Sequence, residues 1–310
     1  MSVANSAAER VTGRGRRIRW NVVEQALAGY LFILPAIVEL AVFLLGPIVY
    51  AFVISFKHFS YLDPLNSHFV GFLNYIHLFE DPVFLRALWN TTVYALVVVP
   101  VQTAIAMMLA VIVNRIRGKT IFRVIYYLPS ITSTVGVAVI FSFLFQPNGL
   151  LNRLLWILFH IQGPDYFNSP IFAFPAIMAV AVWTTAGQFM VIYLAALQEI
   201  PEELYEAAAI DGAEGFAMLR YITIPSLRRT TFLVVVLGMI GAFQVFDLVY
   251  VISSASSLPQ QYTMTVVLDL FEKGFRTMQM GYASAMGFVL FAIILVLTLI
   301  QQLWLGREDA

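Results

Sequence analysis

The 310-residue chain contains no cysteine, which excludes disulfides, thiolate metal sites and cysteine nucleophiles together. Charge is scarce as well. Asp, Glu, Lys and Arg make up 12% of the residues, where a soluble domain carries roughly 25%. With 60% hydrophobic residues and a mean hydropathy of +0.83, such a chain needs lipid as its solvent. The formal net charge is zero, so nothing general argues for a nucleic-acid partner. Catalytic signatures are missing too. Gly118-Lys119-Thr120 has the ending of a phosphate-binding loop, but Val113 stands where the loop needs its first glycine. The four histidines (His58, His68, His77, His160) show no HExxH spacing, and no GxSxG elbow occurs. The expectation is a chain with no catalytic residues, no metal and no cofactor of its own.

What remains is apolar length. Six stretches reach the roughly 20 helical residues that cross about 30 Å of hydrocarbon: 29–56, 90–113, 121–145, 171–196, 230–252 and 282–305. The residues before them are basic, with Arg10, Arg14, Arg16, Arg17 and Arg19. The apolar run that follows is too long for a cleaved signal, so the first span is read as retained. With the N-terminus inside, 13 Lys and Arg fall on the inner side and five (Lys57, Arg86, Arg153, Lys273, Arg276) on the outer. That bias places both termini in the cytoplasm. The predicted organisation is an all-α membrane protein with an arm over 1–28, a six-span domain over 29–305 and a tail over 306–310. Asp81-Pro82 reads as an N-cap followed by proline at the first helical position. Outer loops are expected over 57–89, 146–170 and 253–281.

One stretch differs from its surroundings. Residues 199–225 carry six acids between two membrane-length runs. Pro201 with Glu202 and Glu203 suggests a helix start, Asp211-Gly212 a left-handed break, and 213–221 a second helix with Phe216, Leu219 and Ile222 on one side. Pro225 would close the unit. Glu206 and Asp211 are placed to hold the two helices together or to meet a partner's basic groups. A solvated amphipathic loop would share this spacing.

Glu206-Ala207-Ala208, Asp211-Gly212-Ala213, Ile222 and Ile224-Pro225 resemble the EAA loop of bacterial ABC importer permeases. That loop docks in a cleft of the ATP-binding subunit, so the resemblance implies coupling roles for Glu206, Ala207, Ala208, Asp211, Gly212, Ala213, Phe216 and Pro225. Phe69-Val70-Gly71-Phe72-Leu73-Asn74-Tyr75, Tyr127-Leu128-Pro129, Phe246-Asp247-Leu248-Val249-Tyr250 and Met280-Gly281-Tyr282-Ala283-Ser284-Ala285 look like the sugar and glycerol-phosphate (maltose-permease-like) branch. Two positions depart: Leu219 replaces a usual aromatic, and Ser253-Ser254-Ala255-Ser256-Ser257-Leu258-Pro259 replaces a Gly-Gly-Pro turn. The resemblance implies a type I importer fold in a bacterial cytoplasmic membrane. It also implies a second, different permease, two ATP-binding subunits carrying ATP and magnesium, and an extracytoplasmic solute-binding protein.

Polar residues inside spans are costly and mark either a path or helix–helix glue. Thr184, Thr185 and Gln188, beside Ala181 and Trp183, share one helical face; Phe243, Gln244 and Asp247 cluster in the next span. An aromatic with amide and hydroxyl partners suits a neutral polyol, and these six are the candidate substrate-path residues. Asp247 could equally be structural, and Glu39 in the first span has no assigned role. Gly238-xxx-Ala242, Gly281-xxx-Ala285 and Ala283-xxx-Gly287 are small-residue spacings that let helices approach, within one subunit or across a seam. A stand-alone secondary transporter or channel is the rival reading; it would bury several ionisable groups in mid-span and often show inverted repeats.

Overall fold

A computed structural model describes residues 20–116 and 118–305. The basic arm through Arg19, Arg117, Arg307 and the 306–310 tail lie outside the described residues. The chain forms two compact units divided after Val53. The first holds α1 (Trp20–Glu39), a π-helical segment (Leu40–Leu45) and most of α2 (Gly46–Ser55). Pro35 lies within α1, and Glu39 is an exposed residue where α1 passes into the π segment.

In the second unit, the end of α2 leads into a pair of two-residue antiparallel strands, β1 (Lys57–His58) against β2 (His68–Phe69). It brings the His58 and His68 rings to 5.3 Å. Among the described residues, no group of three or more His, Asp or Glu could hold a metal ion. After α3 (Leu73–Glu80) comes α4 (Pro82–Arg115), 34 residues long. Its N-terminus is built as the sequence suggests: the Asp81 carboxylate accepts the Val83 N–H at 2.8 Å, and Pro82 takes the first turn. The helix thus begins eight residues before the expected span.

The third span is not straight. It consists of α5 (Lys119–Ile131) and α6 (Thr134–Leu144), meeting at 94°. Pro129 cannot donate to the preceding turn, Thr132 turns its hydroxyl back onto the Leu128 carbonyl at 2.9 Å, Thr132 is extended and Ser133 is non-helical. The run Ser130-Ile131-Thr132-Ser133-Thr134 offers hydroxyl partners that compete with the helix. A short α7 (Leu150–Phe159) follows, its loop stapled by Asn152, which donates to the Gln146 and Pro164 carbonyls.

Next come α8 (Ala173–Gln198), α9 (Glu202–Ile210), α10 (Phe216–Met218) and α11 (Ile224–Ser226). The fifth span is α12 (Arg228–Phe243) plus α13 (Asp247–Ala255), interrupted at 244–246. The expected outer loop 253–281 contains α14 (Val266–Phe271), whose Val266, Leu268 and Asp269 are buried, and a π turn (Glu272–Arg276). The last helix is α15 (Met280–Leu305). By length and composition, five helices among the described residues could cross a membrane, or six with the bent α5–α6 pair counted as one span.

Close approach at small residues sets the packing. A Cβ on Gly187 of α8 would lie 1.8 Å from the Tyr126 carbonyl oxygen of α5. One on Gly281 would lie 2.1 Å from the Lys57 carbonyl oxygen, and one on Gly238 2.7 Å from the Gln102 amide nitrogen. The Gly238 and Gly281 approaches are therefore made within this chain. Where a Gly-Gly-Pro turn was absent from the sequence, Asn168 does the holding: its side-chain oxygen accepts the Ser257 N–H at 2.8 Å, and Ser256 donates to the Phe167 carbonyl.

Candidate functional site

The break in the fifth span positions the first candidate site. Helix α12 ends at Phe243, Gln244–Phe246 are non-helical, and Asp247 opens α13, where the helix dipole favours an acid. The Thr265 hydroxyl donates to the Val245 carbonyl freed by the break, at 3.3 Å. Irregular backbone at membrane depth is tolerated where it borders protein or a cavity, and here it borders a cavity of about 470 Å³.

Thr184, Thr185 and Gln188 line that cavity from α8; Gln244 and Asp247 line it from the break. Five of the six expected path residues thus converge. Phe243 does not: it is 3% exposed and belongs to the hydrophobic core. Trp183 is also elsewhere. It lies edge-on to Phe141 and lines a separate apolar groove between α4, α5 and α8, because its position is rotated about 100° from Thr184 on the helix. The aromatic walls of the polar cavity are instead Tyr94, Phe189 and Phe246.

The sequence reading missed Gln102. It sits in α4, 3% exposed, and lines the cavity. The Thr185 hydroxyl lies 2.6 Å from its amide oxygen and 2.8 Å from the Ala181 carbonyl. A polar side chain in mid-span was the available signal, the same one that marked Gln188. Ser130 of α5 donates to the Thr184 carbonyl at 2.7 Å, tying the kinked span to the same helix face.

The second site is the helical hairpin of residues 201–226. Pro201 caps α9 and stands just outside its first turn, where Glu202 and Glu203 sit. Gly212 adopts φ +83° and Gly215 φ +52°, conformations that favour glycine. The Ala213 N–H reaches back to the Ala208 carbonyl at 2.8 Å, closing the end of α9. The expected second helix over 213–221 starts later, at Phe216, and continues through a π turn (Leu219–Thr223) and Pro225 to Ser226. The two arms meet through the Tyr205 and Thr223 hydroxyls, 3.2 Å apart. Glu206, Ala207, Asp211, Gly212 and Pro225 are exposed, Ala213 is half-buried and Ala208 buried. Large apolar groups stand out at the tip: Ile210 is 87% exposed, Phe216 75% and Tyr221 72%.

A charged cluster ties α14, the following π turn and α15 to the start of α4. Asp81 meets Lys273 at 3.4 Å and accepts the Tyr282 hydroxyl at 3.0 Å. Burial alone would raise its pKa, but the Val83 N–H, Tyr282 and Lys273 outweigh that and hold the carboxyl below its ordinary value. Asp269, 1% exposed, is pushed up to about 6, chiefly by burial, with Asp81 and Glu272 adding and Lys273 opposing.

The model of a known transport family matches residues 102–307, which covers the kinked third span, every expected path and coupling residue and α15. The chain belongs to the binding-protein-dependent transport system inner membrane component family. The permease is 33% identical over 277 residues to the lactose transport system permease protein LacF of Rhizobium radiobacter, covering 88% of this chain and 92% of that one. It is 34% identical over 278 residues to the arabinooligosaccharides transport system permease protein AraP of Bacillus subtilis, covering 88% and 87%. Its fold matches a solved bacterial ABC transporter involved in the import of the acidic polysaccharide alginate. The TM-score is 0.82 at 23% identity, over 94% of this chain and 99% of the other. The protein is therefore a multi-pass inner-membrane transport permease with the ABC importer fold.

Proposed function

We propose that this permease forms part of the translocation path for a carbohydrate or related polyol and works by alternating access. The convergence of Thr184, Thr185, Gln188, Gln244 and Asp247 on one cavity carries the reading. Residues far apart in sequence bring hydroxyls, amides and aromatic walls to a single space, the recognition chemistry of a sugar. The names of the lactose and arabinooligosaccharide relatives support the same class.

Energy comes from elsewhere, from two ATP-binding subunits that carry ATP and magnesium. Residues 202–226 dock on them: the exposed Ile210, Phe216 and Tyr221 supply apolar contacts, and Glu206 and Asp211 meet basic groups. A partner shifts a conformational equilibrium only through unequal affinity for its states, so this hairpin contacts the ATPase differently in each. The Lys and Arg bias puts both termini and the hairpin in the cytoplasm. A solute-binding protein delivers cargo to the opposite face, and a second, different permease completes the cavity. Replacing Gln188 and Gln244 together with Leu tests the path. Uptake falls while the complex still assembles; unchanged uptake kinetics would remove both residues from it.

A further inference from the structure

The polar cavity has two properties that narrow its cargo. Among the described residues that line it there is no Lys, Arg or His, and Asp247 is the one carboxylate. On this subunit's wall an anionic sugar meets a carboxylate and no basic side chain, in a setting with less screening than water. Gln102 supplies the second property. The residue is buried, its amide oxygen accepts the Thr185 hydroxyl, and its amide nitrogen lies beside Gly238, a fellow lining residue. One end of the amide is fixed, and the nitrogen end lies among the residues that line the cavity. Only a glycine fits opposite, since a Cβ on Gly238 would come within 2.7 Å of that nitrogen.

We infer that this subunit's wall of the cavity favours an uncharged saccharide over acidic ones, and that Gln102, oriented by Thr185, donates the hydrogen bond that reads a sugar oxygen. This rests on the reading of the cavity as a carbohydrate path. A buried donor of fixed direction discriminates strongly, because a mismatched ligand leaves it unpaired. The substitution Gln102→Leu is structurally mild. Thr185 keeps the Ala181 carbonyl at 2.8 Å, so no buried hydroxyl is orphaned.

The test uses the complete importer with its binding protein in proteoliposomes. It is offered an equimolar mixture of neutral oligosaccharides and their uronate-containing counterparts, with the lumenal content read by mass spectrometry. Neutral sugars accumulate and uronates are at least tenfold depleted. Equal accumulation overturns the inference while leaving carbohydrate import intact, whereas accumulation of no saccharide overturns the carbohydrate reading and this one with it. For the neutral sugar that accumulates most, Gln102→Leu raises KM about two- to tenfold, the loss of one neutral hydrogen bond. The maximal rate and the thermal stability of the complex hold. Thr185→Ser preserves the wild-type KM, and Thr185→Val moves it toward the Gln102→Leu value. An unchanged KM in Gln102→Leu, or a fall in stability and maximal rate with KM constant, means that Gln102 only packs helices.

Discussion

Gly187→Ala is the sharpest structural perturbation available. The added methyl would sit 1.8 Å from the Tyr126 carbonyl oxygen, 2.7 Å from its carbon and 3.2 Å from the Tyr127 Cα. A carbon and an oxygen approach to about 3.3 Å at closest, so α5 must withdraw from α8 by roughly 1.5 Å. Both neighbours are helical backbone, and no side-chain rotation relieves the clash. Overpacking of this kind costs about 1–3 kcal/mol. Withdrawal also breaks the hydrogen bond from Ser130 to the Thr184 carbonyl, worth about 1 kcal/mol. At roughly 2–4 °C per kcal/mol, the midpoint of thermal unfolding in detergent should fall by on the order of 5–10 °C. Sugar uptake should fall too, since Thr184 and Thr185 line the cavity on the displaced face. Gly241→Ala is the internal control: nothing lies within 4 Å of its would-be Cβ, and alanine in a helix is favoured by about 0.5–1 kcal/mol. Equal midpoints for the two variants would refute the close-approach argument.

The other predictions concern coupling and pH. Gly212→Val forces a β-branched residue to φ +83°, at a cost of roughly 1–2 kcal/mol. Combined with Glu206→Lys it should abolish uptake and shed the ATPase on purification; full retention and uptake would remove the hairpin from the docking role. Phe216→Asp should lower ATPase retention without changing the monomer's unfolding midpoint, because Phe216 is exposed. Asp269 has a folded pKa raised to about 6 from 3.8, so its contribution is full below about pH 4 and is lost as pH rises through 6. The fold thus loses about 3 kcal/mol across that window. Asp269→Asn should raise the midpoint at pH 7.5 and flatten the pH profile between 4 and 6, as read by thermal unfolding across pH. Asp81 acts in the opposite sense: its lowered pKa gives stability above the ordinary carboxylate range that is lost as pH falls through its folded value.

Span length and polar placement were legible because hydrocarbon thickness fixes one and desolvation cost fixes the other. Asp81-Pro82 and Gly212 were legible because only a few residue types fit an N-cap or a left-handed turn. The right angle at Thr132 and Ser133 was not, since hydropathy is blind to direction and a proline inside a span is often tolerated. Its signal lay in the hydroxyl run at 130–134. The gap at 244–246 was missed for a related reason. Gln244 and Asp247 looked like polar residues on a continuous helix, whereas one ends α12 and the other begins α13. That error also misplaced Phe243, whose side chain joins the core. Trp183 was misassigned by adjacency, although a helix turns each successive side chain by about 100°.

The absence of cysteine makes the most direct test of alternating access simple. Gln188→Cys places a single thiol in this chain, at the wall of the polar cavity. In the assembled importer, its labelling by a membrane-impermeant thiol reagent is followed from each side of the bilayer, with and without trapped ATP. The account predicts labelling from the cytoplasmic side without nucleotide and from the opposite side with ATP bound. Labelling from the same side at the same rate in both states would contradict it.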